Sequence, residues 1–389
     1  MIYLDNAATS HPKPETVYRR MDLFAREVGA NPGRSGHRMA VDAEAEIAST
    51  RRALTELFGG RDPARLAFTF NATDALNMIF HGTLEAGDHV VTTVMEHNSV
   101  ARPLARLELE GAIAVTRLQP SADGRLDPAA VEQAITPKTR LVVIGLAGNV
   151  LGTVQPVGDI GAIVRRRGTL LAVDAAQGAG LIPIDVEAQA IDLLAFTGHK
   201  GLLGPVGTGG LYVGERAQLR PWREGGTGGD SAHPVQPEEY PHHLEAGTPN
   251  TVGIAGLGEA VRYVTGRGVT QIQRHEVALA GRLWEKLQAN PATEIYGQRP
   301  SAGQPRTGVV SLNLKDRPAA EVGAILDSSF DIAVRTGLHC APGAHRFLGT
   351  FPEGTVRVSP GPFTTERDID ALADALAEIA AVAPGARLS

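Results

Sequence analysis

Cysteine is almost absent: the 389-residue chain has one, Cys340. An intrachain disulfide is therefore excluded, and a reducing, cytoplasmic setting is the expectation. No apolar run approaches the roughly 18 residues that a membrane helix needs, so no membrane partner is expected. The opening Met1-Ile2-Tyr3-Leu4-Asp5-Asn6 lacks a basic segment followed by an apolar one, so no signal peptide is expected either. Basic excess is missing too. A formal net charge of -6, from 37 Lys and Arg against 43 Asp and Glu, gives no footprint for nucleic acid. There is no internal repeat and no low-complexity segment. The glycine clusters do not give G-x-G-x-x-G between a strand and a helix, which sets a dinucleotide site aside. What remains is an ordinary globular composition, 43% hydrophobic and 21% charged, long enough for two domains and a large core.

The middle of the chain alternates short apolar runs with helical patterns. Leu66–Phe70, His89–Val94, Leu141–Leu146, Thr169–Val173, Ile191–Phe196 and Thr208–Val213 read as strands. Several are continuously apolar, as strands buried on both faces are. Asp74–Leu84, Ala129–Ile135 and Val157–Arg166 read as intervening helices. This alternation predicts a mainly parallel α/β sheet with ligands at the carboxyl ends of its strands. A Gly-, Pro- and His-rich loop region follows from Trp222 to Pro249, then a long amphipathic helix from Gly253 to Ala289. The last third carries its own strands, Gly308–Leu314 and Thr355–Ser359, and a closing helix after Thr364-Thr365-Glu366-Arg367. Residues 16–257 are expected to form the large domain, and 1–15 with 258–389 a smaller α+β domain.

The polar residues that follow the strands fall on one rim. Lys200 stands in Thr197-Gly198-His199-Lys200-Gly201, and Asp174 ends another apolar run in Val173-Asp174-Ala175-Ala176-Gln177. A lysine for a Schiff base, with an acid for a pyridinium nitrogen, is the signature of pyridoxal phosphate (PLP) chemistry. Gln177, one helical turn on, would reach the phenolic oxygen. Thr197 and His199 flank the lysine within reach of a phosphate. Asn71-Ala72-Thr73-Asp74 is a small-residue turn opening a helix, where free N–H groups and the dipole attract a phosphate. Asn71 or Thr73 acting simply as an N-cap is the plain alternative, and both can hold together. His97, after another strand, has the aromatic face to stack on a pyridine ring and can move protons.

Cys340 sits in Val334-Arg335-Thr336-Gly337-Leu338-His339-Cys340-Ala341-Pro342. Neighbouring positive charge favours the thiolate, the reactive form. The bland alternative is a buried, inert cysteine. A metal site from His339, Cys340 and His345 is a third reading, but no second cluster completes a closed zinc shell, so no metal is expected. Arg357, on a strand of the smaller domain, is a natural clamp for an amino-acid carboxylate, with a plain surface strand arginine as the alternative.

Taken together, Tyr3-Leu4-Asp5-Asn6-Ala7-Ala8-Thr9, Glu96-His97-Asn98-Ser99, Asn149-Val150-Leu151-Gly152-Thr153, Asp174-Ala175-Ala176-Gln177, Thr197-Gly198-His199-Lys200 and Arg335-Thr336-Gly337-Leu338-His339-Cys340-Ala341 resemble the cysteine desulfurases. These are class V aminotransferases of PLP fold type I. The resemblance covers essentially the whole chain and is closest to the SufS-like enzymes and selenocysteine lyases. It implies that Lys200 carries the cofactor and acts as base, with His97 on the ring and Asp174 and Gln177 on its polar atoms. Ala72, Thr73, Thr197 and His199 would hold the phosphate. Thr248 would reach the phosphate of a neighbouring subunit, which implies a homodimer. Asn149 and Arg357 would orient L-cysteine, with Arg335 assisting. Cys340 would take the sulfur as a persulfide, leave alanine, and pass the sulfur to an acceptor protein. Leu338 stands where that branch commonly has a second histidine, and Pro342-Gly343-Ala344-His345 also differ. These departures sit at the nucleophile. The rival expectations are a selenocysteine lyase, a C–S lyase that yields pyruvate, an amino-acid epimerase, and a PLP-binding protein without turnover.

Overall fold

The chain starts on a short strand, β1 (Ile2–Tyr3), and the computed structural model describes residues 1–33, 36–228, 234–300 and 305–382. Seven strands then build the main sheet: β2 (Leu66–Thr69), β3 (His89–Thr93), β4 (Ala114–Leu118), β5 (Thr139–Gly145), β6 (Leu170–Asp174), β7 (Leu193–Thr197) and β8 (Gly209–Val213). Their spatial order is β2-β8-β7-β6-β5-β3-β4, and β8 alone runs antiparallel to its neighbours. The α/β fold with a mainly parallel sheet is thus present.

Alternate residues of one strand enter opposite cores. Val142 and Ile144 pack on one side of the sheet with Leu194 and Phe196. Leu141 and Val143 pack on the other with Leu193 and Ala195. Helices cover both sides, which is why these strands read as unbroken apolar runs. β4 lies at the sheet edge with a partly exposed face, so it carries no such run and escaped the sequence reading. The helices Glu15–Glu27, Arg38–Leu57 and Asn98–Leu109 were likewise not expected.

The C-terminal part holds a second, antiparallel sheet. Its members are β9 (Thr293–Tyr296), β10 (Val310–Leu314), β12 (Arg335–Gly337) and β13 (Thr355–Val358), in the order β12-β13-β10-β9. Between them in the chain, β11 (Ile332–Ala333) pairs in parallel with β1. Leu283, Leu312, Val356 and Leu376 belong to the separate core of this region. The closing helix, Glu366–Ala381, begins on a capping box between Thr365 and Asp368. The single helix expected over Gly253–Ala289 is instead two, Thr251–Arg267 and Val269–Gln288. The break falls at Gly268, whose φ of 88° no ordinary helical residue adopts. Of the expected loop region from Trp222 to Pro249, residues 229–233 lie outside the described residues.

Candidate active site

Strands β3, β5, β6 and β7 are parallel, so the loops at their carboxyl ends open on one rim. A cavity of about 290 Å3 lies there. Lys200, His97, Asp174, Gln177, Asn149, Thr197, His199, Ala72, Thr73, Arg335 and Arg357 all line it. Residues spread over nearly 290 positions of sequence are therefore brought to one volume by the topology alone. Thr248 does not line this cavity. It is exposed, in a separate hollow with Phe70, Arg223 and Asn250.

Lys200 is carried by the turn from β7 to β8. Gly198 donates its N–H to Thr208 O at 2.8 Å, and Gly204 donates to Gly198 O at 2.8 Å. The turn packs backbone to backbone against Gly180, where a Cβ would lie 2.3 Å from Gly201 O, so only glycine fits. Lys200 Nζ makes no hydrogen bond or ion pair among the described residues. Burial pushes the Lys200 amine down to about 8, against the pull of Asp174. A neutral amine, which Schiff-base chemistry needs, is thereby accessible near physiological pH.

Asp174 is buried at the end of β6 and accepts the Ala176 N–H at 2.9 Å. Burial raises its carboxyl, while the Ala176 amide and Lys200 draw it back down. Gln177 donates from Nε2 to Ala7 O at 3.0 Å, which ties the N-terminal segment to the cavity wall. His97 caps the helix Asn98–Leu109: its Nδ1 accepts the Ser99 N–H at 3.0 Å. Ser99 Oγ lies 2.8 Å from that same Nδ1 and 2.6 Å from Thr73 Oγ1. Burial, and then the charge of Lys200, hold the His97 imidazole down at about 4, so it is neutral at pH 7. Ser99 is a site residue whose role the sequence did not reveal. It sat inside the Glu96-His97-Asn98-Ser99 motif, and only the fold shows that it joins His97 to Thr73.

The helix Ala72–Thr83 points its N-terminus into the cavity. Asn71 caps it by accepting the Asp74 N–H at 3.0 Å, which leaves the N–H groups of Ala72 and Thr73 free for an anion. The capping and phosphate readings of this turn therefore coexist. His199 adds a buried Nδ1 with no hydrogen-bond partner among the described residues. A free helix N-terminus, an orphan imidazole nitrogen, a buried aspartate and an unpaired lysine amine are the donor set that a phosphorylated pyridine aldehyde requires. The residues fit that group.

Cys340 is half-buried and is not among the residues that line this cavity; it touches the wall through Arg335, whose Nη2 lies 3.4 Å from its Sγ. The loop is docked at three points. Asn98 N–H donates to Cys340 O at 2.7 Å, Asn149 Nδ2 donates to His339 O at 2.5 Å, and His339 Nε2 meets Thr355 Oγ1 at 3.0 Å. His339 and Cys340 hold successive left-handed backbones, φ 48° and 59°. His339 and His345 turn inward and are buried, and among the described residues no group of three His, Cys, Asp or Glu converges on a metal-sized point. Arg357, 1% exposed, donates from Nη2 to Asp5 Oδ1 at 2.8 Å and from Nη1 to Asn149 O at 3.2 Å. Its buried Nε has no partner among the described residues.

Comparison with known proteins accords with this geometry. The aminotransferase class-V family model matches residues 2–372. A probable cysteine desulfurase of Methanothermobacter thermautotrophicus is 36% identical over 385 residues, covering 97% of this chain and 94% of that protein. A cysteine desulfurase of Yersinia pestis is 33% identical over 389 residues, covering 97% and 93%. Among solved structures, the apo cysteine desulfurase of Thermococcus onnurineus superposes with a TM-score of 0.90 at 32% identity, covering 97% and 94%. The Escherichia coli cysteine desulfurase CsdA gives 0.86 at 28% identity, covering 96% and 93%. With its sheet, its lysine turn and its cysteine loop all in place, this chain belongs to the aminotransferase class-V family.

Proposed function

We propose that the protein is a PLP-dependent cysteine desulfurase that converts L-cysteine to L-alanine and collects the sulfur on Cys340. The observation that carries this reading is the convergence of Lys200, Asp174, His97, Arg357 and Arg335 on one cavity, with the chain's single thiol held against Arg335. Bound PLP supplies an electron sink that loosens the bonds around the substrate Cα. Lys200 would hold the cofactor and move the substrate Cα proton through Nζ. Asp174 would keep the pyridine nitrogen protonated. His97, neutral, would face the ring. Asn149 and Arg357 orient the substrate, and the first turn at Ala72 and Thr73, with Thr197 and His199, holds the phosphate.

Cys340 Sγ forms a bond to the substrate sulfur while the substrate C–S bond breaks. The thiol protons end on the alanine methyl and on the persulfide, so two thiols become one persulfide and one alanine. No external oxidant enters. A reducing compartment suits a chain whose one cysteine must stay a free thiol between turnovers, and an acceptor must then remove the sulfur. Exposed Thr248, beside a Phe70 that is 55% exposed, supports a homodimer in which Thr248 reaches the partner's phosphate.

The test is product analysis with L-cysteine and the PLP-loaded protein under anaerobic, reducing conditions. Alanine, with the first sulfur on Cys340, is expected. Pyruvate and ammonia would make it a C–S lyase and Cys340 a bystander. Full PLP occupancy without turnover of any amino acid would leave a binding protein.

A further inference from the structure

The N-terminal motif Tyr3 to Thr9 has no chemical role in the reading above, yet it touches both halves of the site. On the C-terminal side Asp5 bridges to Ser359, and Ala7 N–H donates to Ser359 Oγ at 3.0 Å. On the other side, Ser10 N–H and Thr9 Oγ1 donate to His199 O at 2.9 and 3.1 Å. The segment thus ties the end of β13, which carries Arg357, to the turn that carries Lys200.

At its centre is the pair of Asp5 and Arg357. Arg357 stands directly opposite Arg335 in the β12–β13 ladder, and like charges so placed repel. A buried guanidinium without a counter-ion is costly, and Asp5 supplies one. The pair also fixes the plane of the guanidinium. Nη2 goes to Asp5 and Nη1 to the Asn149 carbonyl, while Nε remains buried and unpartnered. Without Asp5, repulsion from Arg335 and the pull of the Asn149 carbonyl would rotate the head group.

We infer that Asp5 is a positioning residue for the substrate carboxylate: by holding Arg357 through Nη2, it fixes the guanidinium in the cavity wall where the carboxylate binds and sets selectivity for amino acids over simple amines. This rests on the desulfurase reading for the identity of the substrate, not for the role of Asp5.

The experiment compares L-cysteine with cysteamine, which has the same thiol and amine but no carboxylate, on PLP-loaded wild type, Asp5→Ala and Asp5→Asn. Turnover of L-cysteine and the cofactor absorbance change with each compound are the readouts. In Asp5→Ala the KM for L-cysteine should rise by about tenfold or more, with kcat held within about threefold. Cysteamine affinity should stay as in wild type. Asp5→Asn, which keeps an acceptor oxygen but no charge, should fall between, and it carries the comparison if the alanine variant does not fold. An unchanged or lower KM for L-cysteine would overturn the inference. So would parallel weakening of L-cysteine and cysteamine, which would mark a general structural defect. If wild type yields no alanine, the desulfurase reading fails, while the ratio of the two absorbance titrations still decides the role of Asp5.

Discussion

Glu276 offers a perturbation whose size follows from the structure. It lies on the helix Val269–Gln288, is 5% exposed, and its carboxyl has no hydrogen-bond or ion-pair partner among the described residues. It faces a small cavity that Lys200, Gln177 and Thr307 also line. Burial alone pushes the Glu276 carboxyl up to about 8 from its ordinary 4.5. The folded state therefore binds this proton more tightly than the unfolded chain does. The sign follows: below pH 4.5 both states are protonated and nothing is lost. As pH rises the unfolded state ionises first, and stability falls until the folded group also ionises near pH 8. At about 1.4 kcal/mol per unit, the loss across that window is on the order of 5 kcal/mol, most of it between pH 5 and 8. Glu276→Gln keeps the shape and removes the titration. At roughly 2.1 cal/mol/K per residue over 389 residues, a loss of that size corresponds to a Tm change of about 6 °C. Melting curves of wild type and Glu276→Gln at pH 5 and pH 8 measure it. The wild type should lose several degrees more than the variant on going to pH 8. Parallel pH dependences would refute the argument, and would mean that the carboxyl is solvated or ion-paired in solution.

Three further outcomes are expected. Lys200→Ala should abolish both turnover and the covalent cofactor linkage, read by absorbance and by mass after borohydride reduction. Turnover at the normal rate would remove the catalytic assignment. Cys340→Ser should keep PLP bound and Arg335 in place but form no persulfide, as mass spectrometry after exposure to L-cysteine would show, and full activity would remove the nucleophile. Gly343→Ala should unseat the nucleophile loop, because its Cβ would fall 2.0 Å from the Val94 carbonyl oxygen, a backbone atom that cannot step aside. Overpacking of this kind costs about 1–3 kcal/mol. Persulfide formation should therefore drop while cofactor absorbance stays unchanged, and wild-type persulfide yield would contradict the packing.

Much of the site could be read in advance because its residues follow strands. Asp174 and Lys200 each end an apolar run, so a parallel sheet must bring them to one rim, and the Asn71 turn and His97 follow by the same rule. The Thr364-Thr365-Glu366-Arg367 run marked the start of the closing helix locally, and the fold shows a capping box there. Other features had no local signal. β4 is short and half exposed, and Gly268 resembles any glycine in an amphipathic pattern. Ser99 sat in a motif without a visible partner, since Thr73 reaches it only once two helices pack side by side.

The sequence by itself determined the alternation of strand and helix, the carboxyl-end placement of the lysine, aspartate and histidine, and the presence of one cysteine beside an arginine. These follow from burial periodicity and residue chemistry, which act over a few positions. The tertiary structure alone decided that Asp5 is the counter-ion of Arg357, 352 residues away. It alone left Glu276 buried without a partner among the described residues, and it alone locked the Cys340 loop to Asn98, Asn149 and Thr355. Such pairings depend on how separate layers meet, and no periodicity within a segment encodes which distant charge will face it.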